Sequence, residues 1–208
     1  MKWINTPWFV FLWFLLAVLS YFYLDPYVPF WIIHCLSKTE LHWAELLTLP
    51  GNAIYPLSIL VSILVLRFIF FKGVIKKNQI SFNCFYLLIS IVISGIICDV
   101  LKGLLGRARP ELLISSQHLY GFYFWKFHAA YWSFPSGHST VLGAYSMGLA
   151  LLFPRFFWMF LVLGFLCASA RILALDHYPS DVLIGFYLGA LTAWIIHKRV
   201  IKKLIIQK

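Results

Sequence analysis

Three short clusters gather the residues of this chain that suit phosphorus chemistry. They are Lys102…Arg109-Pro110, Pro135-Ser136-Gly137-His138 and Arg171…His177…Asp181. Between them stand three fixed cations, two histidines and a carboxylate. Charge on a phosphoryl group in transfer is spread over three equatorial oxygens, so preorganised cations are the main requirement. A histidine, titrating near neutral pH, supplies a nucleophile or a general acid. The set suits holding a phosphate and passing it through a histidine.

Spacing within each cluster sharpens the reading. Lys102 and Arg109 are separated by about 700° of helical rotation, roughly 20° short of two turns, so both share one face. Pro110 then marks an end or a change of direction. Arginine offers a planar fork and lysine a point charge, and both suit phosphate oxygens. Taken alone, the pair also reads as basic residues snorkelling at a helix end. Arg107 is expected on another face, as a headgroup contact or a structural residue. Asp99 sits near the end of an apolar run, where an acid is costly unless paired, and is expected to pair with Lys102. In the second cluster Gly137 permits close backbone approach to an oxyanion. The helix that follows presents free N–H groups, Ser136 adds a hydroxyl donor, and His138 is a candidate general acid. In the third, Pro179 favours a helix start, which places His177 just before that helix and Asp181 just inside it. A carboxylate bonded to one imidazole nitrogen would fix the tautomer and free the other nitrogen as nucleophile. Asp176 is expected to point elsewhere.

The elements that must position these residues are apolar. The chain has 208 residues, 62% hydrophobic and only 12% charged, with a mean hydropathy of +0.86. A soluble domain carries about 25% charged residues. One integral membrane domain over 1–208 is therefore expected, and its nine tryptophans suit interfacial belts. The net charge of +10 does not indicate nucleic acid, because the basic residues flank apolar runs. Cys35, Cys84, Cys98 and Cys167 show no metal-binding or disulfide spacing.

Six apolar stretches predict an all-α bundle of six transmembrane helices: Trp8–Leu24, Ile54–Phe71, Cys84–Leu101, Ser139–Phe153, Phe156–Ala170 and Val182–Ile196. The last three are short for a span of about 20 residues. They reach full length only if their motif-bearing flanks enter the headgroup zone, which sets the site into a membrane surface. The first stretch is longer than the apolar region of a signal peptide, so it is expected to be retained. Residues 26–50 are too polar to span and predict a short interfacial amphipathic helix or a lid. Residues 111–134 are rich in aromatics and predict an aromatic belt or a headgroup entrance; His118, Lys126 and His128 there could meet an anionic headgroup.

With six passes, one side receives Lys2, Arg67, Lys72, Lys76, Lys77, Arg155, Lys198, Arg199, Lys202, Lys203 and Lys208, and no acid. The other receives six cations and all seven acids. The positive-inside rule makes the first side cytoplasmic, with both termini there. All three clusters then face outward, to the periplasm if the cell is Gram-negative.

The pattern K-x6-RP, then PSGH, then R-x5-H-x3-D resembles the type-2 phosphatidic acid phosphatase family. It reads here Lys102-GLLGRA-Arg109-Pro110, PSGH at 135–138 and Arg171-ILALD-His177-YPS-Asp181. The resemblance covers about residues 54–196. It implies a bacterial inner-membrane lipid phosphatase with a helical bundle, a periplasmic site and no metal or other cofactor. By that resemblance His177 attacks phosphorus and forms a phosphohistidine, Asp181 orients it, and His138 protonates the leaving oxygen and then activates water. Lys102, Arg109 and Arg171 hold the phosphate, with donors from Ser136 and Gly137. No Asp/Glu cluster for Mg²⁺ is evident in the sequence. One departure is visible: the family's third motif usually begins Ser-Arg, and this chain has Ala170-Arg171.

The implied partner is a membrane lipid phosphate, with lipid A or undecaprenyl pyrophosphate favoured over phosphatidylglycerol phosphate and phosphatidic acid. A lipid-to-lipid phosphotransferase would use the same residues. An inert scaffold would not need them, and soluble vanadate haloperoxidases with similar motifs lack the six apolar runs.

Overall fold

The computed structural model describes residues 6–70, 79–115 and 118–206. Among these residues the chain is helical, with no β-strand: α1 Pro7–Tyr23, α2 Val28–Cys35, α3 Lys38–Leu47, α4 Ile54–Phe70, α5 Gln79–Leu105, α6 Pro110–Ile114, α7 Gly137–Leu152, α8 Phe157–Leu173 and α9 Pro179–Ile206. Each of the six apolar stretches falls on a helix (α1, α4, α5, α7, α8, α9). By length and composition, four runs among the described residues are able to cross a membrane, or five if the bent α1–α2 pair counts as one. The central helix α7 has only 16 residues. Lys2, Lys72, Lys76, Lys77 and Lys208, which entered the charge count, lie outside the described residues.

The 26–50 segment differs from the single interfacial helix expected. It holds α2, α3 and a 3-10 turn at Leu49–Gly51. The breaks have local causes. Pro26 lies in the elbow at which α2 leaves α1 at 65°, and Pro29 stands in the first turn of α2. Ser37 then caps α3, its hydroxyl accepting from the Glu40 amide while the Glu40 carboxylate accepts from the Ser37 amide at 2.7 Å.

At the centre, α7 crosses α9 with backbone against backbone. A Cβ at Gly189 would fall on the Thr140 carbonyl oxygen, and one at Gly143 on that of Phe186. Small residues that let helices approach this closely are a common device of membrane bundles. Ala144, Ala190 and Ala193 continue the seam, all buried, with Leu87, Ile91 and Met147 packed beside it from α5 and α7. The outer faces of α1, α4 and α8 expose Phe11, Phe14, Ile59, Phe68, Trp158 and Leu166. That is the distribution of a bundle with an apolar surround, and it leaves polar chemistry to one end. At that end α5 and α8 finish and α7 and α9 begin.

Candidate active site

The three clusters converge at this end. The connection after α5 runs through Gly106–Arg109 and is pinned by main-chain hydrogen bonds. Ala108 N–H donates to Gly121, Tyr123 N–H to Gly106, Arg109 N–H to Ala130 and Ser133 N–H to Arg107. These link the 106–109 strip to both arms of the aromatic loop. The Ser136 amide donates to the Asp181 carbonyl at 3.1 Å, tying the start of α7 to the start of α9. Lys102 reaches across from α5: a Cβ on Gly137 would stand 2.8 Å from its Nζ. Gly137 thus leaves space for an ammonium at the α7 N-terminus. Lys102 also pairs with Asp99 at 3.5 Å, as expected.

His177 is 3% exposed and sits in the turn before α9. Its Nδ1 lies 2.7 Å from the Ser133 carbonyl oxygen. A carbonyl only accepts, so Nδ1 carries the proton and Nε2 keeps the lone pair. Asp181 was expected to make this bond. Its Oδ2 stands 3.9 Å from Nδ1, an ion-pair distance rather than a hydrogen bond. The carboxylate instead accepts from the Ser133 hydroxyl at 2.6 Å, from the Tyr178 amide at 3.0 Å and from the Arg107 guanidinium. Ser133 therefore touches both partners, its hydroxyl on Asp181 and its carbonyl on His177. Burial pushes the His177 imidazole below the usual histidine range, against the opposing pull of Asp181, and leaves the ring neutral at pH 7.

The cations form the other wall. Arg171 holds Asp176 at 2.9 Å, and Arg109 approaches the same carboxylate at 3.7 Å. Asp176 therefore points into the cluster, contrary to expectation, and bridges two of the three cations. The Nε atoms of Arg109 and Arg171 are buried with no hydrogen-bond partner among the described residues. Such donors suit an anion with several oxygens. Arg171 also donates to Thr48 at 3.4 Å. Gly51 packs against His138, whose Cβ and carbonyl oxygen lie within 3.1 Å of where a Gly51 Cβ would stand. The α3–α4 connection is thus part of the site's wall. His138 lies at the start of α7, within electrostatic reach of Arg171, His177, Lys102 and Arg109.

Ser136 is buried and serves as the N-cap of α7, its Oγ accepting from the Ser139 hydroxyl at 2.9 Å. Ala170 is buried, and Ser169 bonds back to the Phe165 carbonyl, away from the cluster's role. The aromatic loop divides. Tyr120 and Phe122 stack on Tyr21 of α1, while Phe124, Trp125 and Phe127 are exposed. His118 and His128 are engaged by nearby backbone groups, and Lys126 lies 5.9 Å over the Tyr131 ring. Sequence reasoning missed Ser133, Asp25 and the depth of Arg107, which is fully buried. A short polar residue just before the PSGH cluster was the one available signal for Ser133.

Residues 83–204 match the family model described as PAP2 superfamily. The chain belongs to the PAP2 superfamily. The match includes every residue of the three PAP2 clusters. A lipid A 1-phosphatase of Rhizobium johnstonii is 44% identical over 108 residues, which are 50% of this chain and 43% of that protein. An undecaprenyl-diphosphatase of Sulfolobus acidocaldarius is 27% identical over 105 residues, 50% of this chain and 48% of that one. The matched part thus spans less than half the length of these relatives. The PAP2 fold is shared with the crystal structure of a phosphatidylglycerolphosphate phosphatase from Bacillus subtilis, at a TM-score of 0.65 and 19% identity, covering 91% of this chain and 94% of that one. Aquifex aeolicus LpxE gives a TM-score of 0.61 at 20% identity, covering 84% and 95%.

Proposed function

We propose that this protein is a metal-independent lipid phosphatase that works through a phosphohistidine, with lipid A as first candidate substrate and undecaprenyl pyrophosphate as second. The observation that carries the reading is the Ser133–His177 hydrogen bond, which leaves a neutral imidazole with an unprotonated Nε2 within electrostatic reach of Arg171 and Arg109. Nε2 attacks phosphorus, and the phosphorus–oxygen bond to the lipid breaks. Burial and the neighbouring cations push the pKa of the free His138 imidazole down to about 3; the bound anionic phosphate offsets both, so that His138 takes up a proton and gives it to the leaving oxygen. It then takes a proton from water, which attacks the phosphohistidine and releases phosphate. Lys102, Arg109 and Arg171 balance the oxygen charge throughout, with donors from Ser136 and the Gly137 amide. The resemblance to lipid A 1-phosphatases over the cluster-bearing half supports the choice of substrate.

The charge distribution of the sequence supports six passes with cytoplasmic termini and a periplasmic site in a bacterial inner membrane. A reporter fused at Lys208 is expected to be cytoplasmic, and a periplasmic signal there would overturn this topology. The activity is tested by phosphate release from purified protein in detergent with EDTA, over lipid A, undecaprenyl pyrophosphate, phosphatidylglycerol phosphate and phosphatidic acid. Release from lipid A, lost in His177→Ala, is expected. Phosphoryl transfer to an acceptor lipid without free phosphate would replace hydrolysis by transfer, and EDTA-sensitive release would defeat the metal-independent mechanism.

A further inference from the structure

Behind the Ser133–Asp181 contact lies a charge network that the phosphatase reading does not use. The Arg107 guanidinium is fully buried, and so are both carboxylates it holds. One nitrogen, Nη1, donates to Asp181 and to the Ser180 hydroxyl, the latter at 2.7 Å. The other, Nη2, donates to Asp25 at 2.7 Å and to the Tyr120 hydroxyl at 3.3 Å. Asp25 in turn accepts from the Ser20 hydroxyl at 3.0 Å, from the Ser180 amide at 3.1 Å and from the Ser180 hydroxyl. Four rings enclose the guanidinium, with Tyr178 at 4.4 Å and Tyr21 at 4.8 Å from its carbon. Asp25 stands in the elbow between α1 and α2, outside the stretch that matches the family model.

A buried arginine flanked by two carboxylates has two ways to share its charge. Held by Asp25, it is fixed in place and offers Asp181 one nitrogen only. Freed from Asp25, its whole positive charge would fall to Asp181, drawing that carboxylate off Ser133 and His177. Ion pairs at zero exposure are unscreened by water, so such a redistribution is strongly felt. We infer that Asp25, acting through Arg107, is a positioning residue for the Asp181–Ser133–His177 relay, so that the α1–α2 elbow is a working part of the site. The inference rests on the reading of His177 as nucleophile.

The test uses the full-length protein in detergent and two anions rather than a lipid. Inorganic phosphate needs only the cations. Orthovanadate also needs a bond from His177 Nε2, because it adopts the five-coordinate geometry of the transfer transition state. Asp25→Asn is expected to weaken vanadate binding about tenfold by calorimetry, while phosphate binding stays within about twofold. Ser180→Ala, a milder change that leaves both carboxylates and the arginine, should weaken vanadate about threefold with the same selectivity. Ile32→Ala, a packing change in the buried face of α2 that removes none of the network's hydrogen bonds, should leave both anions bound as before. Equal weakening of vanadate and phosphate, or no weakening of either in both network variants, would overturn the inference and leave Asp25 a fold residue. Loss of vanadate binding in Ile32→Ala to the same degree would do so too. Unaltered wild type that binds neither anion would instead overturn the phosphate-site reading beneath it.

Discussion

On the Nδ1 side of His177, Ser133, Asp181, Arg107 and Asp25 are fully buried and every carboxylate oxygen has a partner. The cations are different. Their side chains keep 15% exposure at Lys102, 31% at Arg109 and 13% at Arg171, and both arginines hold an unpartnered Nε. In the first region the carboxylates are fully paired, although the Arg107 Nε stays unpartnered among the described residues; the second keeps partly exposed cations that an anion could reach. The first fixes a tautomer and a direction, for which rigidity serves. Under the proposed function the second takes up and releases phosphate, for which partial exposure and the carboxylate of Asp176, shared by two arginines, would serve.

The contrast is broken most sharply on the buried side. On the proposed mechanism His177→Ala removes the nucleophile and should abolish turnover. Asp181→Asn takes one of two carboxylates from the buried Arg107 charge and loosens Ser133, and should lower kcat by roughly 10²–10³-fold with KM little changed. A KM effect of similar size, measured at equal folded amounts, would place Asp181 with the cations instead. Ser133→Ala deletes the hydroxyl that ties Asp181 while keeping the carbonyl on His177. A loss of about tenfold in kcat is expected, the range of one charge-assisted hydrogen bond. Full activity would mean that the carbonyl alone holds the ring.

Reading the contrast from the sequence was possible only in part. The three clusters, the helices that carry them and the Asp99–Lys102 pair were legible because each is local: a spacing, a flank, an i to i+3 neighbour. Ser133, Arg107 and Asp25 were not, because their meaning is long-range. Arg107 and Asp25 lie 82 residues apart, and no periodicity encodes that one elbow and one loop will share a guanidinium. Asp176 was misjudged for a related reason. Alternation along the chain turns it from His177, but the α8–α9 turn aims it at Arg171, and Leu175 takes a φ of +59° there.

Effects on the open side should be smaller and should fall on binding. Arg109→Lys loses the planar fork and its Nε donor and is expected to raise KM about tenfold with kcat within about threefold. An unchanged KM would remove Arg109 from the phosphate grip. Asp176→Asn should act in the opposite direction. If the carboxylate competes with substrate for Arg171 and Arg109, KM falls by about twofold to fivefold, and a rise in KM would show that it organises the arginines rather than occupying them. Dose-response curves with inorganic phosphate as inhibitor read the same sign without a lipid.

The glycine seam between α7 and α9 carries a consequence for substitution elsewhere. With Gly143 and Gly189 admitting a carbonyl where a side chain would stand, the helices bearing His138 and Asp181 are held in register largely by close main-chain contact. Main-chain contacts do not change when neighbouring side chains mutate. The exposed apolar residues of α1, α4 and α8 take no part in this seam, so exchanging them should leave the spacing of the His138 and Asp181 helices unchanged.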